Sequence, residues 1–183
     1  MIRLVARLEQ NAPRRKTPSE SVDFENKLGR ELASIFDSLA IAPHAQLRAC
    51  SRPVRDIARN LIDLFGPGVG HIAVTTSVER LALPAFQQRA LVLLTSELII
   101  NGLLHAFENR TTGRIALRLA RPNRGIARLV VTDDGSGLVG AKPHHAAQCG
   151  VINDLADLLQ SEVTYRSAPG AGTVAEIDIR LQE

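Results

Sequence analysis

At 183 residues the chain has room for one large domain, or for a domain with a small appendage, and it can bury a core without a disulfide or metal staple. Two distant cysteines, Cys50 and Cys149, with no zinc-finger spacing, argue against structural zinc and fit a cytoplasmic protein in which both are small apolar filler. A net charge of +3 with no Trp, one Tyr and five Phe leaves no stacking platform for single-stranded nucleic acid, which is therefore not an expected partner.

Residues 1–20 are polar, with Arg14, Arg15 and Lys16 between Pro13 and Pro18, and read as a solvated basic lead-in. Leu28, Leu32, Ile35, Phe36 and Leu39 then recur at spacings of three and four, which predicts an amphipathic helix over 21–40. After Pro43, the pattern Leu47, Val54, Ile57, Ala58, Leu61 and Phe65 predicts a second helix. Pro53 kinks it or marks its start, and Gly66, Pro67 and Gly68 close it. Residues 21–69 thus read as an antiparallel helical hairpin. A lone hairpin cannot bury both apolar faces, so it must pack on the rest of the chain or on a partner; a four-helix bundle made by two chains is the economical solution, which would make the chain a homodimer.

From residue 70 helix and strand signals alternate, which predicts an α/β sandwich over 70–183. Strands are expected at 71–77, 114–119 and 128–132, with a long helix over 84–107 between the first two. That helix is the most apolar part of the chain. Its Glu97, Asn101 and His105 would be costly in a bilayer, so it reads as a soluble helix and no membrane is expected. A helix over 150–159 and closing strands at 162–166 and 173–181, joined through Gly170 and Gly172, complete the unit.

Three segments carry chemistry. Glu97, Asn101 and His105 lie four apart and form a polar stripe on an apolar helix, which is either a ligand-facing surface or a solvent-facing edge. The strand ending at Thr132 runs into Asp133, Asp134, Gly135, Ser136 and Gly137, either a hairpin turn or a loop whose glycines admit a ligand beside a carboxylate. Gly150 opens a helix, where free N–H groups suit phosphate, and Gly172 and Thr173 follow about twenty residues later. No GK[ST] follows any glycine cluster, which excludes a P-loop.

In this order the segments resemble the N, G1 and G2 boxes of the GHKL ATPases, in particular the ATP-binding domain of bacterial sensor histidine kinases of the HWE-like subgroup. The resemblance covers about residues 70–183, and more weakly the upstream hairpin, which is similar to the dimerisation and phosphotransfer hairpin of those kinases. It implies a helical hairpin followed by a Bergerat-type α/β sandwich that binds ATP and magnesium. Asn101 would coordinate the magnesium, Glu97 would orient a metal-bound water or act as base, and His105 would complete the nucleotide-binding stripe. Asp133 would accept from the exocyclic amine of adenine, and Gly135 and Gly137 would let the backbone approach the nucleotide. Gly150 would start a phosphate-facing helix, Gly172 and Thr173 would line the adenine side, and 138–149 would form the ATP lid with Lys142 available to phosphate. The implied role is in two-component signalling, as a divergent kinase or pseudokinase with a response regulator as partner.

Departures from the pattern are specific. Leu104 stands where a basic residue often precedes the histidine, one glycine stands at the G2 position, and Glu25 or Asn26 occupies the place of the phospho-accepting histidine. A histidine phosphotransferase or scaffold, and an anti-sigma-factor-type serine kinase, are the competing readings. The intact Glu97, Asn101 and Asp133 oppose the first, and the upstream helices oppose the second.

Overall fold

The computed structural model describes residues 47–65, 71–107, 110–137 and 143–181. The lead-in and the helix expected over 21–40 lie outside the described residues. In chain order the elements are β1 (Leu47–Ala49), α1 (Ser51–Phe65), β2 (His71–Val78), β3 (Ala82–Pro84) and α2 (Ala85–Asn101), whose last turn widens into a π-helical segment, Gly102–Ala106. β4 (Thr112–Asn123), β5 (Ile126–Asp133), α3 (Pro143–Leu158), β6 (Val163–Ser167) and β7 (Thr173–Arg180) follow. Five strands form one sheet in the order β2-β4-β5-β7-β6, with β2 parallel to β4 and the remaining pairs antiparallel; β1 and β3 form a separate antiparallel ribbon.

The period-two pattern of the strands sorts the two faces of the sheet. Ile115, Leu117 and Leu119 of β4, Leu129 and Val131 of β5, and Ala175, Ile177 and Ile179 of β7 are buried in one core with the helices. The intervening residues face the other way. There Arg128 holds Asp178 through two 2.6 Å hydrogen bonds and Glu176 at 3.2 Å, and Arg166 reaches Glu176 at 2.7 Å. α2 is buried nearly all round, as expected of a helix apolar on every side. Among the described residues it is, with its π segment, the one helix long and apolar enough to cross a membrane, and most of it is buried inside the domain.

The expected hairpin is corrected over its second arm. Leu47 is not on a helix but in β1, 58% exposed, and β1 pairs with β3 on the far side of β2 in sequence. The helix starts at Ser51, with Val54 donating to the carbonyl of Cys50, so Pro53 falls in the first turn, where its missing N–H has no helical partner to lose. Val54, Ile57, Ala58 and Leu61 are buried in the same core as the sheet and α2. Of the two ways open to this arm, it is the rest of the chain that covers its apolar face, and the α/β unit begins at Leu47 rather than at residue 70. Gln88 ties the ribbon to the core by donating to the carbonyl of Ala49 at 2.8 Å. Cys50 is fully buried, and burial pushes its thiol up to about 12, which makes it inert filler.

α3 ends in a Schellman motif. Gln160 donates to the carbonyl of Asp157 and Ser161 to that of Ala156, with Gln160 at φ 53° in the left-handed region that favours glycine. A side chain in that conformation costs about 1–2 kcal/mol, part of which glycine gives back through its freer unfolded state. Gln160→Gly is expected to raise stability by about 0.5–1 kcal/mol in urea titration, and a variant no more stable than the parent would refute the strain.

Candidate functional site

The polar stripe on α2 is not a solvent-facing edge. Glu97 is buried, and Asn101 and His105 are half-buried at the end of the helix. Neighbouring Thr95 and Ser96 are also buried, but their hydroxyls donate back to the carbonyls of Leu91 and Leu93, which disposes of them within the helix. His105 departs from the expected geometry because it lies in the π segment, whose wider turns change the angular step from that of an α-helix. Spacing by four therefore does not carry the stripe unchanged from Asn101 to His105.

The end of this helix is where the Asp133–Gly137 loop docks. The amide of Ser136 donates to the carbonyl of Ala106 at 2.8 Å. A Cβ on Gly135 would collide with that same carbonyl and with the Ala106 side chain. Beyond it, the amide of Gly170 donates to the carbonyl of Ser136 at 2.8 Å, and a Cβ on Gly137, at φ 72°, would collide with the carbonyl of Ala168. Gly172, at φ 75°, lies so close to the carbonyl of Asp133 that a Cβ would overlap it. All three glycines are thus required by contacts within the protein, where the sequence suggested room for a ligand.

The two adjacent aspartates have separate tasks. Asp134 accepts from the amide of Arg114 at 2.7 Å while its own amide donates to the carbonyl of Arg114, so it clamps the loop to β4. Asp133 turns to the helix-covered face, where its Oδ1 accepts from the amides of Gly135 at 2.9 Å and Thr173 at 3.2 Å. Burial holds its carboxyl above the usual carboxylate range and outweighs the donors that pull it down, the amides of Gly135 and Thr173 and the hydroxyl of Thr173; the charge of Asp134 raises it further. Asp133 is thus a fixed, partly desolvated acceptor.

Sheet register places Asp133 in a polar row. Asp133 pairs with Thr173 on β7, and Thr173 pairs with Ser167 on β6. The hydroxyl of Ser167 lies 2.8 Å from the carbonyl of Gly172 and 3.3 Å from the hydroxyl of Thr173. Ser167 was not singled out from the sequence; its role follows only from the β6–β7 register, which alternation alone does not fix. Gly150 is corrected. It lies inside α3, exposed, seven residues after Pro143, so its amide is part of the helix and not at a helix N-terminus. Lys142 lies outside the described residues, as do the side chains of His144 and His145.

Among the described residues, no group of three or more His, Cys, Asp and Glu side chains converges to hold a metal ion. An asparagine oxygen at the end of α2 suits magnesium, which takes few protein ligands and keeps waters and phosphate oxygens. No protein-family model matches the chain. A curated relative, blue-light-activated histidine kinase 2 of Erythrobacter litoralis (strain HTCC2594), is 29% identical over 119 residues, 63% of this chain and 34% of its own length. The chain thus spans about a third of that relative. Among solved structures, the histidine kinase domain of a blue-light-activated histidine kinase from Erythrobacter litoralis superposes with a TM-score of 0.70 at 21% identity, covering 97% of this chain and 93% of that domain. The catalytic domain of histidine kinase ThkA superposes with a TM-score of 0.58 at 12% identity, over 74% of this chain and 95% of that one. The fold is that of a histidine kinase catalytic domain. In this fold the helix bearing Glu97 and Asn101 and the strand end bearing Asp133 meet through Ala106 and Ser136.

The raised carboxyl of Asp133 has a consequence for stability. An acid group raised by folding favours the native state most while protonated, below the ordinary carboxylate range, and that contribution is lost as pH rises through its raised value. Charging Asp133 above its raised value therefore weakens the folded protein. Asp133→Asn is expected to melt at a higher temperature than the parent at pH 7, with the gap narrowing towards pH 4. Equal melting temperatures at pH 7 would contradict the desolvation argument.

Proposed function

We infer that this domain binds ATP with magnesium and serves as the nucleotide-binding part of a histidine-kinase-like signalling protein. The observation that carries this reading is Asp133, a partly desolvated carboxylate fixed through one oxygen by two backbone amides. It ends β5, where the loop that follows is latched to the end of the helix that bears Asn101 and Glu97. An acceptor of that kind selects a base that presents an amine and penalises one that presents a carbonyl, because the unpaired acceptor would stay desolvated. Adenine fits and guanine does not. Asn101 would hold the magnesium beside the triphosphate, with Glu97 orienting a bound water or acting as base, and His105 and Lys142 would serve the phosphate side. Thr173 would support the adenine side.

Calorimetric titration tests the assignment. ATP with magnesium is expected to bind and GTP not to. Asp133→Asn is expected to lose roughly ten- to a hundredfold in ATP affinity, the worth of a charged hydrogen bond of about 1.5–3 kcal/mol. Equal affinity for ATP and GTP would sink the reading.

Whether the chain turns ATP over is a separate matter. The five histidines are His44, His71, His105, His144 and His145, so residues 21–40 hold no phospho-acceptor. A glutamate or asparagine at the corresponding place does not supply an imidazole nucleophile. The role consistent with this is a divergent kinase or pseudokinase in the cytoplasm that acts on or through a response regulator. Since α1 is part of the core, pairing of two chains would rest on the amphipathic pattern of residues 21–40. Incubation with ATP and magnesium followed by neutral-pH mass spectrometry is expected to find no phosphohistidine; stoichiometric phosphate on His44 would overturn the pseudokinase reading.

A further inference from the structure

β2 forms one edge of the sheet, and its register with β4 decides which of its backbone groups are used. All eight of its residues pair with β4 without a shift. The amides of His71 and, just past the strand, Glu79 donate to the carbonyls of Thr111 and Leu119. Successive residues of a strand turn their N–H and C=O to opposite sides, so the odd-numbered residues bond to β4 while Ile72, Val74, Thr76 and Val78 present theirs to the open edge. The chain closes this edge at one point, where the guanidinium of Arg55 on α1 donates to the carbonyl of Val78 at 3.3 Å. Among the described residues, the edge groups of Ile72, Val74 and Thr76 have no partner. Edge strands are usually blunted by charge, proline or a bulge. β2 has no Lys, Arg, Asp, Glu or Pro, whereas β6 at the other edge is shorter and carries Arg166.

The side chains around the edge specify what fits it. On the helix-covered face Ile72, Val74 and Val78 are apolar, half-buried and packed against the core. On the opposite face Ala73, Thr75 and Ser77 are small and exposed, and they pair with Arg114, Ala116 and Arg118 of β4. Both arginines are exposed, and among the described residues neither guanidinium has an acidic partner, unlike Arg128 and Arg166. They stand about 13 Å apart along β4 and about 10 Å, two strand spacings, from a strand added at the edge, within the joint reach of an arginine and a glutamate across small residues. Exposed Arg59 adds a cation beside the edge, being four residues from Arg55 and on the same side of α1. We propose that the β2 edge receives an extended segment of a partner protein whose side chains alternate apolar and acidic. Its apolar side chains cover Ile72 and Val74, and its acidic ones turn to Arg114 and Arg118. Main-chain bonds to Ile72, Val74 and Thr76 supply affinity, and the arginines select the sign of the partner. A second copy of β2 in this place would bring the arginine sides of two α1 helices together on one face, and the lead-in with Arg14, Arg15 and Lys16 has the wrong charge.

Hydrogen exchange read at single amides of the full chain tests this, with an end-blocked peptide of alternating valine and glutamate as the probe. In the free chain the amides of Ala73, Thr75 and Ser77 are expected to exchange slowly and those of Ile72, Val74 and Thr76 fast. The peptide is expected to slow the second set, and a peptide with lysine in place of glutamate to leave it unchanged. Arg114→Ser combined with Arg118→Ser is expected to weaken binding of the glutamate peptide roughly two- to tenfold at low salt, with the difference shrinking as salt is raised. Thr76→Pro removes an edge donor that β4 does not use, so it is expected to abolish the peptide's effect at Ile72 and Val74 while Ala73 and Thr75 stay slow, which shows that the sheet is intact. If that variant fails to fold, the two peptides on the parent chain still decide the matter. No slowing of Ile72, Val74 and Thr76 by the glutamate peptide, equal slowing by the lysine peptide, or protection of these amides by self-association of the chain alone would overturn the proposal.

Discussion

A helix ends in carbonyl groups that its own backbone cannot satisfy, and the chain must bring other donors to them or leave them to water. At the end of α2 one of these, the carbonyl of Ala106, is met by the amide of Ser136. For that amide to arrive, Gly135 must lie against Ala106 with no side chain of its own. The carbonyl of the same Ser136 accepts from Gly170 in the turn between β6 and β7. One residue of main chain thus joins the helix that bears Glu97 and Asn101, the end of β5, and the closing turn. The placement of Asp133 depends on all three, because its carboxylate is held by Gly135 on one side and Thr173 on the other. Substituting any of the crowded glycines would move a backbone, not a flexible side-chain end.

Most of the fold was legible because its elements have strong periods. The strands around Leu117, Leu129 and Ile177 alternate, and α2 is long and apolar, so the α/β sandwich and its element order emerge from the chain directly. The misread parts have physical causes. Leu47 has the right spacing to join the pattern of Val54 and Ile57, yet three residues of β1 satisfy their backbone on β3, a pairing that no local period announces. Gly150 looks like a helix start beside an apolar run, but a single glycine is tolerated inside a helix, and α3 runs back to Pro143. Glu97, Asn101 and Asp133 stand out by motif, and the structure brings the elements that carry them together through Ala106 and Ser136. The choice of Asp133 over Asp134 as the candidate acceptor came in the sequence only from resemblance. The register shows the reason: Asp133 shares the parity of buried Leu129 and Val131, and Asp134 falls past the strand end onto the backbone of Arg114.

The energetic arrangement separates what holds the sheet from what the site needs. On the outer face, Arg128 lies between Asp178 and Glu176, and its guanidinium holds the carboxyl of Asp178 below the usual range. These groups are partly exposed, so each pair contributes little by itself and their value lies in fixing neighbouring strands β5, β6 and β7 together. On the inner face the balance is reversed. Asp133 is kept at a carboxyl that burial disfavours when charged, and its amide donors only partly offset this. A carboxylate maintained against its own desolvation gains when a donor arrives and displaces the deficit, which is the differential a binding site needs.

That differential is useful only if the acceptor does not relax away from the incoming donor, and here the sheet prevents it. Asp133, Thr173 and Ser167 occupy one row across three strands, and a slip of one residue in either pairing would turn the row to the opposite face and take the apolar rows behind it out of the core. The cost of such a slip is shared by Leu129, Val131, Ala175 and Ile177, all buried. The position of a single polar acceptor is therefore enforced by the packing of apolar residues behind it. Because the core sets this geometry before any ligand is present, a ligand docking on Asp133 would spend little on ordering the acceptor, and the differential at Asp133 could appear as affinity and as discrimination between donors.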